Sequence, residues 1–356
     1  MIRTLMIVLI LLPHMVPTAH GDQLTVLFLG NSHTYFNDLP GLIRGLAESA
    51  GDTFLTDQST PGGCTLAYPP NAHLYNDVSV GLIESGGWDY MVLQEQSQIP
   101  VIPYIRDNYM YPGSATLDSI NTANTPCCLT TFFMTWGWRD GGQHTIDGYS
   151  SPVFEDYYEM QDSVRTAYLR IADSLSAPVA PAGVAWQNAM NSGYPLSLHA
   201  PDGYHPSLSG SYLAACVFYA ALFQKSPLGL DYNGGLSDEN AGWLQAVADT
   251  TVLNHLDEWN ISPAMPYQPF EYDWALPPQC QPRRDPFMRY RFIKPMEECS
   301  LSRPSSQIYK DHDETHRSKH SIRSFQGPSM VPGFDARQLH TDHYSNIRIV
   351  TPDGED

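Results

Sequence analysis

Leu24-Thr25-Val26-Leu27-Phe28-Leu29, closed by Gly30 and followed by Asn31-Ser32-His33-Thr34, decides how this 356-residue chain is read. A short apolar run ending in glycine predicts a buried strand and then a turn. Asp38 next stands ahead of Leu39-Pro40, an N-cap with proline in the first turn. Leu42, Ile43, Leu46 and Ala47 fall on one helical face, and Gly51 closes the helix. The unit is strand, polar turn, helix.

The same alternation continues outward. Residues 54–56 predict a weaker strand and 74–85 a helix stopped by Gly86-Gly87; 90–93 predict a buried strand and 116–124 a helix. Residues 128–134, rich in Thr and Phe, predict a strand. The longest helical pattern runs over 154–175 on Tyr158, Val164, Tyr168 and Ile171, followed by a strand at 178–184 and helices at 209–223 and 237–256. Strands alternating with helices imply an α/β fold, a mostly parallel sheet covered by helices on both faces.

Nineteen Lys and Arg stand against 38 Asp and Glu, a net charge of −19, which argues against a nucleic-acid partner because phosphate binding needs clustered cations. A hydrophobic fraction of 42% suffices for a core, whereas charged residues are only 16%. The acidity is uneven. Residues 22–262 carry 6 basic and 25 acidic side chains, and residues 263–356 carry 12 and 13. From Pro263 onward prolines and arginines are frequent and apolar periodicity is lost, so 263–356 reads as a weakly ordered C-terminal extension of a domain spanning 22–262. His312, His316 and His320 have metal-compatible i, i+4, i+8 spacing there, but their polar surroundings favour a solvated stretch.

Arg3, the apolar run 5–12 and Ala19-His20-Gly21 have the form of a signal peptide over 1–21. The run is too short to span a bilayer, so the expectation is an exported protein, secreted or periplasmic, with no membrane span. Six cysteines do not make a disulfide scaffold in so long a chain. Cys280 and Cys299 could close a local loop, and Cys127-Cys128, in an apolar run, suit a buried structural role.

Polar stretches follow the strands: Gly30-Asn31-Ser32-His33-Thr34, Pro61-Gly62-Gly63-Cys64 and Gln94-Glu95-Gln96-Ser97. Asp202-Gly203-Tyr204-His205-Pro206-Ser207 precedes the 209–223 helix. Together they offer a hydroxyl nucleophile, a base with an acid three residues away, and backbone or amide donors, the parts of an acyl-transfer site. Ser32 needs a base to attack a carbonyl; His205 can take and return the proton, and Asp202 can fix its tautomer. Taken separately, the same residues read as a turn serine and an Asx-type turn.

These blocks resemble those of the SGNH (GDSL-like) hydrolases over roughly residues 24–256: the first block carries the serine, and Asp202-x-x-His205 matches the last. The resemblance implies a three-layer α/β/α fold with a sheet of about five strands and ester hydrolysis by a Ser32–His205–Asp202 triad. It also implies an oxyanion hole of the Ser32 N–H, a glycine N–H (Gly63, with Gly62 as the alternative) and a third donor. Where the family has Gly-x-Asn-Asp, this chain has Gln94-Glu95-Gln96-Ser97. Gln96 falls on the asparagine position, Gln94 competes with it, and Glu95 suits a structural ion pair or a substrate contact. His33 could touch substrate, with ordinary hydrogen bonding as the alternative, and Trp136, Trp138 and Arg139 could line a pocket, with core packing as the alternative. The expected substrate is a small-molecule or carbohydrate ester, and no metal or organic cofactor is implied. The oligomeric state is left open. The other reading is a non-catalytic carbohydrate-binding module on the same fold.

Overall fold

An unbroken apolar run is what a strand needs when it lies inside a sheet covered on both faces, and β1 (Gln23–Leu29) is such a strand: Val26 to Leu29 are buried. The computed structural model describes residues 21–262. The further strands are β2 (Thr53–Ser59), β3 (Tyr90–Leu93), β4 (Leu129–Phe133), β5 (Gly142–Ile146), β6 (Tyr149–Phe154) and β7 (Val179–Ala180). Five of them form one parallel sheet in the order β2-β1-β3-β4-β7, and β5 and β6 form a separate antiparallel hairpin.

The helices are α1 (Ser32–Tyr35), α2 (Leu39–Ser49), α3 (Asp77–Ser85), α4 (Pro103–Ile105), α5 (Tyr111–Asn124), α6 (Tyr157–Leu175), α7 (Ala182–Asn191), α8 (Leu208–Phe223) and α9 (Asp238–Leu253). α2 packs on α8 and α8 on α9, while α3 packs on α5 and α5 on α6. The expected three-layer α/β/α fold with a five-stranded parallel sheet is therefore the fold observed. α8 is apolar all round because only its first residue, Leu208, escapes burial. At its far end Lys225, the one lysine between residues 22 and 262, bonds Asp22 (2.9 Å) and the buried Asp52 (2.6 Å). Tyr219 also donates to Asp52 (3.0 Å), so this polar knot ties α8 to the start of the sheet.

The departures from expectation are local. α3 starts at Asp77, since Asn76 accepts the Ser79 N–H (3.0 Å) and caps it after a 3-10 turn. α6 starts at Tyr157 behind the Asp156 cap, because residues 149–154 belong to the hairpin. That hairpin turns at Asp147-Gly148, with φ of 50° and 83°, the left-handed pair such a turn requires. The strand expected over 178–184 is only Val179–Ala180; beyond Pro181 the chain enters α7. Cys128 is buried and free, as are Cys64 and Cys216, but Cys127 is half-buried and disulfide-bonded, which corrects the shared buried role expected for the pair. Cys280, Cys299, His312, His316 and His320 lie outside the described residues, as does most of the 1–21 segment. Among the described residues no helix is long and apolar enough to cross a membrane.

In the order 2-1-3-4-7 the sheet grows away from β1 on both sides, so the crevice outside the ends of β1 and β3 is the switch point where open parallel sheets place their sites. The polar turns following β1, β2 and β3 all emerge at that end.

Candidate active site

Ser32 opens α1 immediately beyond β1 and is half-buried. The turn is built by Asn31, which is buried. Its Oδ1 caps α1 by accepting the His33 N–H (3.1 Å) and takes a second hydrogen bond from Gln94 Nε2 (2.9 Å). Its Nδ2 donates to the Cys64 carbonyl (2.8 Å). One short amide thus joins the turns after β1, β2 and β3, a role its neighbours in sequence did not disclose.

Asp202 and His205 lie on a loop that doubles back at Gly203 (φ 80°). Asp202 Oδ2 accepts from His205 Nδ1 (2.7 Å), while Oδ1 accepts the N–H groups of Tyr204 (3.1 Å) and His205 (3.0 Å). Desolvation alone would push Asp202 up, but these hydrogen bonds outweigh it and hold the carboxyl below its usual range. The segment after β4 clasps the loop: Trp136 Nε1 donates to the Tyr204 carbonyl (3.0 Å), the Arg139 N–H to the Gly203 carbonyl (2.8 Å), and His199 Nε2 to the Gly137 carbonyl (3.0 Å).

Ring contacts bring this loop to the serine turn. Phe36 lies flat on the His205 imidazole, centroids 4.1 Å apart and planes within 4°. Tyr204 touches the same imidazole at 4.2 Å, and His33 lies 5.8 Å from it. Ser32 is therefore bracketed by His33 and Phe36, both against His205. Ser32 Oγ itself makes no hydrogen bond among the described residues.

Gly62 and Gly63 are exposed on the turn after β2, with Gly63 at φ 65°. A Cβ on Gly62 would sit 3.6 Å from the Tyr35 hydroxyl, so this turn lies against α1. The glutamines differ sharply. Gln94 is fully buried and spends its amide on the serine turn and the Glu95 carbonyl. Gln96 is half-buried; its Oε1 accepts the Gln98 N–H (2.8 Å) and its Nε2 donates one hydrogen to Gln98 Oε1 (3.0 Å), leaving a second hydrogen.

Glu95 has neither expected role. It is fully buried with no ion pair among the described residues; Oε1 accepts the N–H groups of Leu66 (3.0 Å) and Gln96 (2.8 Å), and Oε2 has no partner. Burial, which those two bonds only partly offset, pushes the carboxyl up to about 8. His33 is buried between Trp136 and His205, and burial lowers it to about 3, with His205 adding to the effect. Trp136 is core, stacked on Trp186 at 3.9 Å; Trp138 stacks on Tyr204 and donates to Ser97 Oγ (3.1 Å); Arg139 pairs with Asp140.

No family model and no curated protein matches the chain. Among solved structures, a DUF4886 family protein from Bacteroides uniformis shares the fold at 22% identity and a TM-score of 0.55, covering 66% of this chain and 96% of that one. A protein from Slackia heliotrinireducens assigned as an SGNH hydrolase is 23% identical at a TM-score of 0.43, covering 56% and 100%. A mutant of an acetylxylan esterase from Geobacillus stearothermophilus is 16% identical at 0.36, covering 56% and 94%.

Proposed function

We propose that this chain is a divergent SGNH hydrolase, an exported serine esterase that cleaves carboxylic esters, acetylated carbohydrates foremost, through an acyl-enzyme. The observation that carries the reading is the Asp202–His205 pair at 2.7 Å, held by ring contacts against the turn that presents Ser32. In this reading His205 takes the Ser32 proton through Nε2, the ring nitrogen opposite the one bound to Asp202. Ser32 Oγ attacks the ester carbonyl, and Asp202 stabilises the resulting imidazolium. The Ser32 and Gly63 N–H groups and the second Nε2 hydrogen of Gln96 receive the developing oxyanion. His205 then protonates the leaving alcohol, and water releases the acid by the same steps in reverse.

Two features support a neutral alcohol. Phe36 and Tyr204 pack on His205 and Tyr35 packs on Phe36, giving aromatic faces and hydroxyls that suit a sugar ring. The guanidinium closest in sequence to β4, Arg139, is already paired, and the strongly acidic body disfavours anionic substrates.

The test is a panel of p-nitrophenyl acetate, longer p-nitrophenyl esters and acetylated xylo-oligosaccharides, with Ser32→Ala as control. Hydrolysis of the short acyl esters by the wild type alone supports the proposal. A folded wild type that binds the sugars yet hydrolyses none of these esters supports the carbohydrate-binding module instead.

Gln96→Ala should lower kcat by about 100-fold with KM little changed, the usual effect of losing one oxyanion donor. Steady-state kinetics on p-nitrophenyl acetate check this; a kcat within about threefold of wild type assigns the third donor elsewhere.

A further inference from the structure

The peptide unit between Gly30 and Asn31 is gripped at both ends by side chains that are themselves fully buried. Its carbonyl, that of Gly30, lies 2.9 Å from His73 Nε2, and its N–H, that of Asn31, donates to Gln94 Oε1 at 2.8 Å. We infer that His73 and Gln94 are positioning residues that fix the peptide plane ahead of Ser32 and so aim its Oγ and N–H; this rests on the esterase reading above.

The hydrogen-bond inventory supports a rigid grip. A carbonyl can only accept, so His73 Nε2 carries the proton and Nδ1 is the acceptor. Nδ1 lies 2.8 Å from Ser79 Oγ, which in turn lies 2.9 Å from Ser59 Oγ at the end of β2. The Gly30 carbonyl thereby selects the tautomer, and Ser79 on α3 holds the other side of the ring. Burial also keeps it neutral, lowering it to about 4. Gln94 has no freedom either. Oε1 accepts from Asn31 N–H and Thr34 Oγ1 (3.0 Å), while Nε2 donates to Asn31 Oδ1 (2.9 Å) and the Glu95 carbonyl (2.6 Å), which exhausts its capacity.

Gly30 is what lets the grip close. A Cβ at residue 30 would stand 2.4 Å from Thr34 Oγ1 and 2.6 Å from Gln94 Oε1, so any side chain would displace the amide. Misplacing a reacting group by about 1 Å can cost about 100-fold in rate, so a grip on the nucleophile's own backbone acts on kcat.

The experiment compares His73→Asn with His73→Gln. Asparagine can still meet Ser79 but falls short of Gly30; glutamine places an N–H donor near the position of Nε2. At a temperature where circular dichroism shows both variants folded, His73→Asn should lower kcat about 10- to 100-fold with KM within about threefold, and His73→Gln should recover most of the loss. Amide hydrogen exchange by NMR reads the grip without catalysis. In His73→Asn the Asn31 amide should exchange at least about tenfold faster while Leu27 and Phe28 keep their protection. Uniform acceleration of all three amides, or an Asn31 amide unchanged in His73→Asn, overturns the inference. If the wild type hydrolyses nothing, the exchange result still decides the grip, and the esterase reading fails separately.

Discussion

Ser32→Ala should lower kcat for ester hydrolysis by about 10,000-fold or more, and His205→Ala should match it. Members of a triad act as a unit, so the first loss removes nearly all of their joint effect and a second adds little. The double variant should therefore be no slower than either single variant, whereas independent roles would multiply the losses. Asp202→Ala should be milder, because Asp202 orients and stabilises the imidazole without taking the proton. Its carboxylate also receives the Tyr204 and His205 N–H groups, so part of the loss is disorder in the loop. Asp202→Asn keeps an acceptor for those two groups and separates the effects. Rates within tenfold of wild type for Ser32→Ala would remove the serine from the chemistry.

Stability should fall steeply on acidification. Burial holds His33 near 3 and His73, His144 and His199 near 4, whereas each titrates near 6.5 in the unfolded chain. Their contribution is complete above about 6.5 and is lost as pH falls towards about 4, because only the unfolded state binds those protons. Glu95 works in the opposite sense. Its folded value is raised to about 8, so its contribution is complete below the unfolded value of about 4.5 and is lost as pH rises through about 8. Near pH 5.3, four histidines bind a proton on unfolding and Glu95 releases one, a net uptake of about three. That corresponds to a loss on the order of 4 kcal/mol per pH unit. The optimum should lie near pH 7, where the uptake by the histidines and the release from Glu95 balance, with a shallow decline to about pH 8. Urea unfolding at pH 4.5–8.5 checks the shape, and Glu95→Gln should flatten the alkaline limb and steepen the acid limb, because the proton Glu95 releases no longer offsets the uptake by the histidines. A curve level between pH 5 and 7 would mean that these histidines are protonated in the folded state.

The parts of this molecule legible in the sequence are those in which neighbouring signals agree. Asp38, Pro40 and the Leu42–Ile43–Leu46–Ala47 face all point to α2, and each occupies its expected place. The Asp202-x-x-His205 pair was readable because both residues sit on one turn, where an i, i+3 spacing brings carboxylate and imidazole together. The hairpin carries a readable signal of its own, Asp147-Gly148 between strand-like runs, which stands outside the strand–helix alternation. Gln94 and His73 are different in kind. They meet the serine turn across 63 and 43 residues of chain, and no local pattern encodes a contact whose partners are chosen by the packing of β3 and α3 against β1. Glu95 shows the same limit. A carboxyl in a polar stretch reads as exposed or paired, whereas the turn that carries it folds inward and satisfies one oxygen with backbone N–H groups.

The most direct measurement is reaction of the folded protein with a fluorophosphonate, followed by intact mass and peptide mapping. An activated serine attacks the phosphorus and expels fluoride, leaving a stable covalent adduct. The Ser32–His205–Asp202 mechanism predicts one adduct, on Ser32, absent from Ser32→Ala and strongly slowed in His205→Ala. No adduct on a protein with a cooperative melt, or an adduct on any other serine, contradicts it.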